Sequence, residues 1–283
     1  MRIMKRLRLF RPLGGAPAAL ALALAVPTSL KAQQSAPNPP EENILVEARL
    51  EQAIRNFVAS MSDADRSRQL ARWDREICPA VLGIDPAQAD YMARRIGETA
   101  AMLRLRTGGR NCRPTMLVVV PPNAGGVALT LARNAPITLR TDGRTRLRRF
   151  VASTSPVRWL SVTNPCGDEG CGLPNSRLSR ATHPEFQAMI VIVDAQQIAG
   201  FSLGEISDYV ALVALGNPPL DGRRPSTSIL AMFEQERVAG TRFALTEFDR
   251  AYLRGLYRTR ADATGQEQRA SIADRMEDEA ESE

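Results

Sequence analysis

One histidine, four cysteines and a few clusters of charge are the side chains from which any chemistry in this 283-residue chain must be built. The histidine is His183, in Thr182-His183-Pro184. A lone imidazole excludes a His-Glu-x-x-His site, where two histidines one helical turn apart face one zinc and the glutamate activates its water. His183 can still act as a single general base. A Ser-His-Asp arrangement would then use Ser176, Ser179 or a distant serine as nucleophile, and the chain has no Gly-x-Ser-x-Gly elbow. The plainer reading of His183 is a surface residue beside a proline in a turn.

The carboxylates give no stronger lead. Asp168 and Glu169 sit between Cys166 and Cys171, where they either bind a cation or keep an exposed loop soluble. Asp208, Asp221 and Asp249 are scattered, whereas a glycosidase needs two facing acids at a set separation. Asp249 is expected to support a helix N-terminus. The densest basic run is Arg140, Arg144, Arg146, Arg148 and Arg149. It suits an anionic surface such as lipid head groups or a polyanion. The plainer reading is a solvated turn, opened by Thr141-Asp142-Gly143, and a strand edge. Gly125-Gly126 alone does not make a phosphate-cradling loop. No catalytic, cofactor-binding or metal-binding residue is assigned.

Cys78, Cys112, Cys166 and Cys171 permit three disulfide pairings. Cys166 with Cys171 is favoured, because the Gly- and Pro-rich segment Asn164–Pro174 can close on itself; Cys78 with Cys112 follows by elimination. The rival is a site of four thiolates. Zinc sites of that kind usually carry two short Cys-x-x-Cys pairs, and here there is one close pair with four residues between.

Disulfides require an oxidising compartment, and the N-terminus reads as the means of reaching one. A basic start (Arg2, Lys5, Arg6, Arg8, Arg11) precedes an uncharged apolar stretch, Leu13–Val26. Pro27 and Ser29 break it, and Leu30-Lys31-Ala32 offers a cleavage site. Residues 1–32 are therefore read as a signal peptide, and the product as periplasmic or secreted. An uncleaved anchor is the alternative, although the stretch is short of the roughly 20 residues a membrane span needs. The chain has 37 basic and 31 acidic residues; without the six basic residues of 1–32, and with no acid lost, 31 of each remain. Such a balance gives no support to nucleic-acid binding. Lys5 and Lys31 are the only lysines, so the remainder relies on arginine, which pairs bidentately with carboxylates.

Residues 33–43 read as a flexible, Pro-rich leader, 44–258 as a single domain, and 259–283 as an acidic tail, disordered or a frayed helix. Within the domain, Ile44–Val46 is expected as a short strand leading into a helix to Ser60. Asp85-Pro86-Ala87-Gln88 starts an amphipathic helix that ends at Gly108-Gly109. Met116–Val120, Val157–Val162 and Ala188–Val193 read as strands, the last of them central. Gly126–Asn134 reads as a short helix. Ser202-Leu203-Gly204-Glu205 is a capping box, and the helix it opens is apolar nearly all round, hence buried. Leu245-Thr246 precedes a helix through Tyr257. This mixture without regular βαβ alternation indicates an α+β fold: a mixed sheet with packed helices.

The segment Ser202–Tyr257 also carries a resemblance. A buried helix ends in Ala214-Leu215-Gly216, followed by Ser228-Ile229-Leu230-Ala231-Met232, Leu245-Thr246-Glu247-Phe248-Asp249 and Leu253-Arg254-Gly255-Leu256-Tyr257. This order resembles the active-site region of zincin metallopeptidases of the matrixin kind. It is more similar still to uncharacterised exported bacterial families that keep the layout without the zinc ligands. Arg72-Trp73-Asp74-Arg75-Glu76-Ile77-Cys78-Pro79 and Gly109-Arg110-Asn111-Cys112-Arg113-Pro114 resemble such a family too. The resemblance implies a zincin-like core. Registered on Ala214-Leu215-Gly216, it puts Tyr209 and Val213 at the two histidine positions and Val210 at the glutamate position. None of the three binds zinc or acts as a base. The resemblance thus implies a scaffold without its catalyst, with a binding or structural role for an extended peptide or another envelope protein. The alternative is a hydrolase using His183 or paired carboxylates. A binding module predicts an apolar groove near Tyr209; an enzyme predicts His183 inside a pocket.

Overall fold

A computed structural model of the chain describes residues 40–62, 65, 67–109, 111–135, 143–167, 170–172, 179–236 and 240–282. The signal segment 1–32, most of the leader, and Arg140, Thr141, Asp142, Asp168, Glu169 and Ser176 lie outside the described residues.

Among the described residues, the first half runs α1 (Pro40–Ser60), β1 (Pro79–Leu82), α2 (Pro86–Met102), β2 (Met116–Val119), α3 (Ala124–Arg133) and α4 (Arg144–Ala152). The second half runs β3 (Val157–Asn164), β4 (Glu185–Val193), α5 (Leu203–Gly216), a 3-10 turn at Ile229–Ala231, α6 (Glu247–Arg258) and α7 (Gly265–Glu281). The four strands form one mixed sheet in the order β1-β2-β4-β3. β1, β2 and β4 are parallel, and β3 is an antiparallel edge. The fold is α+β, with β4 in the interior of the sheet as its unbroken apolar run requires.

Alternation along the strands sends side chains to opposite faces. Met189, Val191 and Val193 of β4 join the larger core, shared with α1, α2, α5, α6 and α7. Ile190 and Ile192 join a smaller cluster with Ala124 and Ala128 of α3 and Leu147 and Phe150 of α4. α2 begins as its sequence dictates: the Asp85 side chain accepts from the Ala87 N–H at 2.8 Å, and Met92, Ile96 and Ala100 are buried. α5 starts on a complete Ser202/Glu205 capping box and is buried from Glu205 to Gly216.

Four expectations are corrected. Ile44–Val46 is not a strand but part of α1, which begins at Pro40 and so takes up the end of the expected leader. An isolated three-residue strand would leave its backbone groups unpaired, and continuing the helix pairs them. The arginine run from Arg144 is not a turn and strand edge but α4, anchored by Leu147 and Phe150 one turn apart. Residues 265–281 are not a disordered or frayed tail but α7. It starts on a Thr264/Glu267 capping box and buries Ile272, Ala273 and Met276 on one side. Its acids face outward, and Glu279 takes a bidentate pair from Arg254. The domain therefore runs on to Glu281 rather than ending at 258. Finally, α2 ends at Met102, short of the expected stop at Gly108-Gly109, because the chain turns at Leu103 and Arg104; β1 had no counterpart in the sequence reading, four residues being too few for a period to show.

Candidate functional site

α5 carries Tyr209, Val210 and Val213, the three positions singled out in the sequence, and all three are packed among apolar side chains. Tyr209 is 2 % exposed, and Val210 and Val213 have no exposure at all. The Tyr209 ring lies 5.1 Å from that of Phe233, and Phe201 stacks on Phe233 at 5.0 Å. This aromatic cluster occupies the place where an apolar groove was expected. Burial pushes the Tyr209 phenol up to about 12, so it stays neutral and offers no base.

The motifs around α5 instead form a network of buried hydrogen bonds. A helix leaves its last carbonyls without intrahelical partners, and a buried end must find donors elsewhere. Asn217, in the left-handed conformation (φ 48°), donates its N–H to the Val213 carbonyl at 3.0 Å. The Trp73 indole Nε1 donates to the Ala214 carbonyl at 2.9 Å. The Tyr257 hydroxyl donates to the Leu215 carbonyl, also at 2.9 Å. At the other end of the motif set, Asp249 is fully buried. Its carboxylate accepts from the Ser228 hydroxyl (2.6 Å), the Ile229 N–H (2.9 Å) and the Thr246 N–H (3.0 Å). One side chain thus ties the Met232 turn to the start of α6. Burial raises the Asp249 carboxyl despite these donors.

The other candidates separate. Asp208 pairs with Arg95 through two hydrogen bonds of 2.7 and 3.0 Å, and Asp221 lies 3.3 Å from Arg149. With Asp249 in its network, each of these three carboxylates serves a different contact. Both disulfides are formed, Cys78–Cys112 and Cys166–Cys171. The first joins the segment before β1 to the segment before β2, across α2. The edge strand is largely covered: Val157, Arg158, Trp159, Leu160 and Ser161 are each 4 % exposed or less. The Trp159 indole donates to the Pro218 carbonyl at 3.0 Å, and Arg224 lies over its ring. On β3 the partly exposed stretch is Val162–Asn164; the other edge of the sheet, β1, is partly exposed from Pro79 to Val81 and exposed at Leu82.

His183 lines a cavity of about 480 Å³ between the start of β4, the end of α2 and the end of α6. Its Nε2 is 3.7 Å from Glu185 Oε1, and the two side chains are 22 % and 8 % exposed. The Glu185 carboxylate lies against Gly167, whose left-handed backbone (φ +61°) favours glycine. Arg72 and Trp73, from one family-like motif, and Arg254 and Tyr257, from another, line the same cavity. Arg72 is 9 % exposed and donates to the Thr259 and Arg260 carbonyls at 2.6 and 3.3 Å. Burial lowers its guanidinium from the ordinary arginine value. Among the described lining residues there is no serine or cysteine, and Ser179 is not one of them. The sequence named His183 but not the cavity; the signal available was the two motifs, which converge on it.

No family model, curated protein or solved structure matches this chain. No helix among the described residues is long and apolar enough to cross a membrane.

Proposed function

We propose that this chain is an exported, non-catalytic module that keeps a zincin-like scaffold as a frame for binding. The observation that carries the reading is the state of α5. At the positions where zinc ligands and a base would stand it has Tyr209, Val210 and Val213, all buried. The surrounding motifs persist as hydrogen-bond partners of that helix and of the Met232 turn, which gives them a structural reason to be present without zinc. Two disulfides and the signal-like N-terminus support export to the periplasm or beyond. The partner in this reading is a ligand or another envelope protein. The test is the metal content of the purified, oxidised protein with a broad hydrolase screen. The expected result is no stoichiometric zinc and no peptidase activity; either one found would overturn the reading.

A second reading rests on the His183–Glu185 contact inside the cavity. A carboxylate beside an imidazole orients it, which suits activation of a water. Hydrolysis present in the same screen and abolished by His183→Ala would establish this reading in place of the first.

A further inference from the structure

The cavity beside His183 has an electrostatic peculiarity that the fold does not resolve. Arg72 is a buried cation whose hydrogen bonds go to two neutral carbonyls, while Asp74 and Asp262 offset its charge only electrostatically. A buried charge with no directly paired counter-charge is costly, which is why such groups in folded proteins are usually paired. Three more arginines, Arg104, Arg254 and Arg258, line the same cavity together with Asp74 and Glu185; Arg254 and Arg258 share Glu279 as a partner, and the Arg258 side chain is 56 % exposed.

Arg104 adds an independent observation. α2 ends with the Leu105 N–H bonded to the Ala100 carbonyl at 3.0 Å and the Arg104 N–H bonded to the Ala101 carbonyl at 2.9 Å. This is the Schellman pattern, whose left-handed residue is usually glycine. Here that residue is an arginine at φ +60°, in a region that side chains with a Cβ disfavour. The backbone is thus strained at the one residue of the turn that brings a cation to the cavity. Strain of this kind persists where it serves a site. The same turn also gives the cavity an apolar part: Met102, 41 % exposed, with Leu103 and Leu105.

From these features we infer that the cavity binds a small organic anion, a carboxylate head on an apolar body. The head sits among Arg72, Arg104 and Arg258, and the body lies against Met102, Leu103 and Leu105. A cavity of about 480 Å³ is of the size that small-molecule sites occupy. The planar guanidinium fork suits a two-oxygen head group. The inference deepens the proposed binding role and rests on it. Zinc content and hydrolysis test that role, and anion binding tests this site, so the two fail separately.

The experiment is titration calorimetry of the oxidised protein with hexanoate, acetate and inorganic phosphate. Hexanoate is expected to bind saturably and more tightly than acetate or phosphate. Arg104→Gly is expected to weaken it about fivefold while raising Tm, since it relieves the left-handed strain. Arg258→Gln should weaken it as well, and Arg148→Gln on α4 should leave it unchanged. Arg72→Lys keeps the charge, loses the fork, and should weaken binding about tenfold; if that variant fails to fold, Arg104→Gly, which should fold better than wild type, carries the test. No saturable hexanoate binding, or an affinity untouched by Arg104→Gly, would overturn the inference. Phosphate binding more tightly than hexanoate would overturn the assignment of an organic anion.

Discussion

At the scale of the residue, Trp73 and Tyr257 donate to successive carbonyls, those of Ala214 and Leu215, at the buried end of α5. Water does not reach these carbonyls, so a lost donor leaves an acceptor with no alternative. Tyr257→Phe is expected to destabilise the fold by about 1–2 kcal/mol. Trp73→Phe should destabilise it by about 2–4 kcal/mol, because a cavity is added to the lost hydrogen bond. Urea denaturation reads both; a Tyr257→Phe variant as stable as wild type would remove the phenol from this role. The motifs that contain these residues were legible in the sequence as a resemblance. Their task was not, because Trp73 reaches α5 from a segment 141 positions away in the chain. Asp249 was read correctly as helix support, since a capping box is local. Its second grip, on Ser228 and Ile229, spans 20 residues and was not visible.

At the scale of the element, local signals worked best where a cap and an apolar face coincide. α2 and α5 show both, and so does α6, whose Thr246/Asp249 capping box precedes buried Tyr252, Leu253 and Leu256. α4 and α7 were misread because nearly half of their residues are charged. Leu147 and Phe150 suffice to dock the first, and Ile272, Ala273 and Met276 suffice for the second. A few apolar residues one turn apart outweigh many solvated charges, which lose little on facing water. α7 also depends on its cap. Thr264→Ala is expected to cost about 1 kcal/mol, seen as faster amide exchange across 265–281. The Thr264 N–H and hydroxyl hold the Glu267 carboxyl below the ordinary glutamate value. A lowered folded value means the contribution is fully present above the unfolded value of about 4.3 and is lost as pH falls through the lower folded one. Exchange protection of α7 should therefore hold at neutral pH and decline only in acid; protection that falls on raising the pH from neutral would contradict this sign.

At the scale of the whole molecule, two covalent bridges act on very different loops. Cys78–Cys112 spans 34 positions and Cys166–Cys171 spans five. Loop-closure entropy assigns about 4 kcal/mol to the longer bridge and about 2 kcal/mol to the shorter. A Cys78→Ser, Cys112→Ser variant should thus lower thermal stability more than a Cys166→Ser, Cys171→Ser variant; the reverse order in calorimetric melts would refute the entropic account. The amino-acid sequence by itself determined the α+β class, the buried helix α5 and its cap, and the favoured cysteine pairing. These follow from periodicity, caps and residue identity, which are local or need only counting. Only the tertiary structure decided that α7 belongs to the core, that the place beside Tyr209 is filled by Phe233, and that Arg72, Arg104, Arg258 and His183 line one cavity. Those outcomes depend on contacts between residues far apart in the chain, set by how helices pack on the sheet, and no local pattern encodes them.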